Sequence, residues 1–143
     1  FRRDQDGGGL NALLNYGYTV LRACVARSVV AAGLHPTLGL HHSHEGNAMR
    51  LVDDLMEPFR PVIDLKVWLL ARNRETEVKP DTKRALVRTL YDDMQTSSGA
   101  TPVMVCTQRL ATSLAQTYLG ERDKLDLPLP GLPLALAASL DDE

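Results

Sequence analysis

Cysteine, aromatic residues and an excess of one charge are all scarce in this chain of 143 residues. Its two cysteines, Cys24 and Cys106, lie far apart with no CxxC spacing, which excludes a zinc knuckle or disulfide scaffold and leaves them as core thiols. Aromatics make up 5% of the residues, and the abundant Leu, Ala, Arg, Asp and Val repeat with a helical rather than an alternating period, which argues against a sheet protein. No apolar run approaches the roughly 20 residues that cross a bilayer, and no signal-peptide pattern opens the chain. A soluble, cytoplasmic protein with no membrane partner is expected. Sixteen Lys and Arg against eighteen Asp and Glu give a net charge of -2, which excludes a globally basic nucleic-acid binder but leaves room for a local basic surface. No Walker loop, GxSxG elbow or Rossmann fingerprint is present, so ATP, acyl-serine and NAD chemistry drop out. The chain opens on Phe1 rather than Met, followed by two arginines, and reads as a fragment of a longer protein.

What is present is enough for one core. With 44% hydrophobic residues, a chain of this length buries about two thirds of its unfolded surface. Leu10, Leu13, Leu14, Gly17, Tyr18, Leu21, Cys24 and Val25 repeat at three and four, predicting a long helix over 10–32 that Gly33 stops. Residues 34–46 hold Pro36, Gly39, Gly46 and all four histidines, and read as a loop. A second helix is expected from Asn47, burying Ala48, Leu51, Val52, Leu55 and Phe59, with Pro58 and Pro61 interrupting or kinking the chain at its end. A third amphipathic run covers 62–74 and carries the one tryptophan, Trp68. Pro80 and Asp81 open a fourth helix to about Gln95. After the loop of Ser97, Ser98 and Gly99, Thr101 and Pro102 read as the cap and first position of a fifth helix ending at Gly120. The fold class expected is all-α, a helical domain over 1–124 followed by a proline-rich, loosely ordered tail over 125–143.

Charge is uneven along the chain: residues 60–91 hold eight basic and four acidic side chains, and residues 92–143 three basic and eight acidic. The middle is therefore either a solvated basic face or a phosphate-binding surface, for which Arg72, Arg74, Lys83 and Arg84 are candidates.

The stretch with the most chemistry is GLHHSHEGNAMRLVDDLMEPFRP, residues 39–61, where a histidine-rich loop feeds a short helix bearing Asp53, Asp54 and Glu57. At about 100° per residue, Asp54 and Glu57 lie roughly 60° apart, opposite the apolar Leu51, Val52 and Leu55, while Asp53 faces another sector. Anions at a helix C-terminus oppose its dipole by about 0.3–1 kcal/mol each, so the arrangement favours a nearby cation. Two readings stand. One is a magnesium or manganese ion held by Asp54, Glu57 and a loop imidazole, with positions open for phosphate oxygens. The other is a solvent-facing acidic turn beside incidental histidines. His42 and His44 with Glu57 also give a weaker zinc reading, unsupported by an HExxH helix or a cysteine cluster.

LNALLNYGYTVLRACVARSVVAAGLHPTLGLHH followed by NAMRLVDDLMEPFRPVID resembles the CRISPR-associated adaptation integrase, nearest to its type II lineage. The resemblance covers residues 1–120, and its most specific pieces are Asn15-Tyr16-Gly17-Tyr18, His42 and the run from Asp54 to Pro61. It implies a metal-dependent DNA endonuclease and integrase that inserts prespacer DNA into the repeat of a CRISPR array. It further implies an intact protein that dimerises and works with a small dimeric adaptation partner. The family's metal ligands fall on His42 and Glu57, with Asp54 as an accessory acid and Mg2+ or Mn2+ as the ion. His41 and His44 have no clear counterpart, and the doubled histidine leaves His41 open in place of His42. Tyr16 and Tyr18 sit in a family motif near the DNA-handling region, although helix-borne tyrosines equally read as packed residues with satisfied hydroxyls. Arg60 either pairs with Asp53 or Glu57 or contacts phosphate. The family's upstream glutamate and N-terminal β-rich domain are expected outside this chain, which predicts weak manganese binding and low activity for the fragment alone. A noncatalytic helical scaffold that binds DNA or a partner protein is the alternative reading.

Overall fold

The first apolar repeat folds as one helix, α1 (Leu10–Ala31), which packs against every other helix of the domain. In the computed structural model, which describes residues 8–35, 49–131 and 133, it is followed by α2 (Arg50–Met56) and a 3₁₀ turn (Glu57–Phe59). Next come α3 (Arg60–Arg72), α4 (Pro80–Arg88) and a second 3₁₀ turn (Thr89–Tyr91). Strands β1 (Asp93–Thr96) and β2 (Gly99–Pro102) lead into α5 (Val103–Tyr118). Leu13, Leu21, Val25 and Val29 of α1 are fully buried, as are Leu51, Val52, Phe59, Ile63, Val67, Leu86 and Leu110 from the surrounding elements. Each such side chain contributes about 1.5–3 kcal/mol relative to exposure, so this shared core holds the helices around α1.

Helix stops are local and obey the sequence closely. Gly33 takes φ +80, its amide donates to Val30 and that of Leu34 to Val29, closing α1. Gly120 closes α5 in the same way, through Thr117 and Gln116. Pro80 sits in the first turn of α4, and the amide of Lys79 donates to Oγ1 of Thr82 at 3.0 Å. Pro58 and Pro61 separate α2 from α3, each tolerated because it stands in the first turn of its element, where an amide has no helical partner. Leu51, Val52, Leu55 and Phe59 are buried as the pattern predicts, whereas Asn47 and Ala48 lie outside the described residues.

The expectation of an all-α domain needs correction. The fourth helix ends at Arg88 instead of Gln95, and β1 pairs antiparallel with β2, Met94 opposite Thr101 and Thr96 opposite Gly99. Asp93 to Thr96 alternates exposed and buried, a period of two that four residues are too few to announce. Thr101 and Pro102 belong to β2, and α5 begins one residue later. Oγ1 of Thr101 shares a hydrogen bond with Oγ1 of Thr96 and donates to the Gly99 carbonyl, so it is spent in the hairpin and caps nothing.

Both thiols are free: Cys24 is half-buried with Sγ 3.5 Å from Oγ1 of Thr107, and burial pushes the Cys106 thiol above its ordinary range. Beyond α5, the Asp126 amide donates to Oγ of Ser113 and the Leu129 amide to the Gln95 carbonyl, joining this stretch to α5 and β1. Among the described residues, no helix is long and apolar enough to cross a membrane.

Candidate functional site

Gly17 sets the geometry. A Cβ at this position would lie 2.6 Å from Cγ2 of Ile63 and 3.4 Å from Cδ2 of Leu86, so α1 can approach α3 and α4 this closely only without a side chain. Residues 16 and 18 are about 200° apart on the helix and leave on opposite sides of that contact. Tyr18 turns to α3, where its hydroxyl donates to the Asp64 carboxylate and its ring lies 5.2 Å from the Arg60 guanidinium carbon. Tyr16 turns to α4, with the Lys83 ammonium 5.6 Å from its ring centre. The two tyrosines of one motif thus belong to two different surfaces.

Asp53 and Glu57 meet different partners, Asp53 from within α2 and Glu57 from the 3₁₀ turn that follows it. Asp53 faces α1, with Oδ1 3.1 Å from Nε of Arg22 and Oδ2 accepting from Nη2 at 3.4 Å. Glu57 is exposed, and its Oε1 lies 3.0 Å from Nε of Arg60. Asp54 is half-buried between them in sequence. Asp53 and Glu57 thus each receive a cation from the protein itself, which offsets part of the local repulsion read from the sequence. Both pairs reach solvent, so each is worth about 0–1 kcal/mol.

Asn15, Tyr18, Thr19, Arg22, Asp53, Met56 and Arg60 line a cleft of about 390 Å³. The Asn15–Tyr18 motif and the Asp54–Pro61 motif, some forty residues apart in sequence, therefore meet at one concavity that carries two arginines. Arg22 and Asp64 are site residues that the sequence reading passed over. Spacing offered a signal for each: Arg22 stands four residues after Tyr18 and Asp64 four after Arg60, which puts each on the same helix face as a residue already singled out. Arg72 and Arg74 stand at the far end of α3, and Lys83 and Arg84 on α4, where Nη1 of Arg84 lies 3.9 Å from Oδ1 of Asp81. They are away from the cleft lining.

His41, His42 and His44 lie outside the described residues. Among the described residues, no three His, Cys, Asp or Glu side chains come together as a metal site. Of the residues expected from the sequence to hold a metal, Asp54 lies in α2 and Glu57 opens the 3₁₀ segment three residues later, both carboxylates of the oxygen type that suits a hard divalent ion.

The family described as CRISPR associated protein Cas1 matches residues 2–93. The CRISPR-associated endonuclease Cas1 of Neisseria meningitidis serogroup C is 36% identical over 132 residues, covering 90% of this chain and 43% of the relative. CRISPR-associated endonuclease Cas1 2 of Pyrobaculum aerophilum is 43% identical over 76 residues, covering 52% of this chain and 26% of the relative. Among solved structures, a casposase bound to integration product is similar with a TM-score of 0.75 and 26% identity, over 90% of this chain and 42% of that one. The chain thus spans less than half the length of these relatives.

Proposed function

Because the chain belongs to the CRISPR associated protein Cas1 family, we propose that it carries the helical metal-site lobe of an endonuclease and integrase that inserts prespacer DNA into a CRISPR array. The observation that carries this reading is the meeting of Tyr18 and Arg22 with Met56 and Arg60 at one cleft, whose Arg60 also pairs with Glu57, within the region matched to the family. His42 and Glu57 hold Mg2+ or Mn2+, and Asp54 serves as a third ligand or orients one. The carboxylate chemistry fits such an ion. When bound, the ion supplies stabilisation of charge on phosphate oxygens and a lowered pKa for the attacking hydroxyl.

The chain's own residues do the positioning. Arg60 lies against the Tyr18 ring, which Asp64 in turn holds through its hydroxyl, so the guanidinium beside Glu57 is fixed from below. A fixed cation orients a carboxylate ligand, and its remaining N–H groups can meet a phosphate oxygen. Arg22, tied to Asp53, adds a second cation to the cleft. Intact, such a protein forms a homodimer and works with a small dimeric adaptation partner.

The test is metal-dependent cleavage and strand transfer by the whole protein that carries this sequence, with His42→Ala and Glu57→Gln beside wild type. Loss of both reactions in each variant, with manganese affinity lowered in direct titration, supports the assignment. Full activity in Glu57→Gln places the chemistry elsewhere, and inactivity of the wild type favours a DNA-binding scaffold.

A further inference from the structure

We propose that Trp68, oriented by Arg72 and with Arg74 exposed at the same helix end, is a stacking site for an unpaired DNA base at the far end of α3. This rests on the reading above that the protein handles DNA. The solvent face of α3 is formed by Pro61, Asp64, Trp68 and Arg72, spaced by three and four. An indole is a costly choice for such a face, since Val67 and Leu70 beside it are buried while Trp68 stays 47% exposed. The Arg72 guanidinium carbon lies 4.8 Å from the centre of the indole ring, a cation–π contact that restrains the ring while leaving much of it in water.

The adjacent backbone adds an independent observation. Arg74 has φ +58 and is the one non-glycine residue at positive φ among the described residues. It holds the position that ends α3, its amide donating to Ala71 and that of Glu75 to Leu70, the same closure that Gly33 and Gly120 provide for α1 and α5. A cation stands where glycine is the low-energy choice, which points to a use for the charge. Its exposed side chain joins Arg72 at the same helix end.

An exposed aromatic ring with two cations at the same helix end matches one ligand chemistry best. Every base offers a π-face to an indole, and its phosphate offers an anion to a guanidinium, whereas in duplex DNA the base faces are already stacked. Trp68 lies about 12 Å along α3 from Arg60, so a strand engaged there runs along the same helix that borders the cleft. Asp64, between them, accepts the Tyr18 hydroxyl at Oδ1.

Trp68 is the only tryptophan of these 143 residues, so in a protein of this sequence its fluorescence reports this site alone. Titration with a fluorescein-labelled oligodeoxythymidylate should quench it saturably, while a duplex of equal length quenches it little. Anisotropy of the labelled strand should give about tenfold weaker binding for Trp68→Ala, near wild-type binding for Trp68→Tyr, and a shallower salt dependence for Arg72→Ala. A strand that binds without quenching Trp68, and equally to Trp68→Ala, overturns the stacking site while leaving DNA handling intact. Equal quenching by the duplex overturns the preference for an unpaired base. Failure to bind either nucleic acid overturns both readings.

Discussion

Gly17 shows how one residue can carry a site. The absence of a side chain lets α1 sit against Ile63 and Leu86, and that contact aims Tyr18 at Arg60 and Tyr16 at Lys83. Two effects oppose each other in Gly17→Ala. Helix propensity favours alanine by about 1 kcal/mol, but overpacking against a buried isoleucine costs about 1–3 kcal/mol. Ile63 cannot yield easily, because it is fully buried itself. The expected outcome is a thermal midpoint lowered by several degrees in circular dichroism, together with a weakened Arg60–Tyr18 contact. A variant as stable as wild type means that α3 shifts to accept the methyl. The sequence offered Gly17 as a member of an apolar stripe and of the Asn15–Tyr18 motif but not as a close-approach position, since nothing local tells which face of a helix a neighbour will crowd.

At the scale of elements, ends and joints decide most. Arg74 at φ +58 makes the end of α3 locally strained, so Arg74→Gly should stabilise the protein by about 1 kcal/mol in urea unfolding while lowering its affinity for DNA. Opposite signs in the two measurements are the point: a stabilised variant with undiminished DNA binding removes Arg74 from the binding surface. Asp92, at the joint between the second 3₁₀ turn and β1, has its carboxyl raised above the ordinary range by burial, with nearby Lys66 opposing and Asp93 adding to the rise. A carboxyl with a raised folded-state pKa contributes stability below its unfolded pKa and loses it as pH rises through the folded value. At neutral pH the ionised Asp92 is therefore a cost. Asp92→Asn should be more stable than wild type at pH 7, with the advantage shrinking as pH falls toward about 4. Urea midpoints at the two pH values check this, and a pH-independent difference rules out Asp92 as its source.

For the whole molecule, charge is sorted by region, with cations concentrated in residues 60–91 and acids beyond. The structure gives those cations two ends of one helix and a neighbour: Arg60 at the cleft, Arg72 and Arg74 at the other end of α3, and Lys83 and Arg84 exposed on α4. Reversing Arg72, Arg74, Lys83 and Arg84 to glutamate should weaken DNA binding and flatten its salt dependence by about 0.7–0.9 in log–log slope for each phosphate that is no longer neutralised. An unchanged slope means that these side chains are only solvated. Periodicity, glycine stops and helix-opening prolines were readable in the sequence because each depends on residues within one turn of each other: α1 ends at Gly33, α4 opens at Pro80 and α5 ends at Gly120 through bonds to neighbours in the chain. The Asn15–Tyr18 and Asp54–Pro61 motifs were likewise legible as strings. Their meeting was not, because Tyr18 to Asp64 and Arg22 to Asp53 are contacts between helices, and no local pattern encodes which distant carboxylate a side chain will reach. The hairpin escaped for a related reason, since strands of four residues carry too few alternations to compete with a helical reading until the partner strand supplies its hydrogen bonds.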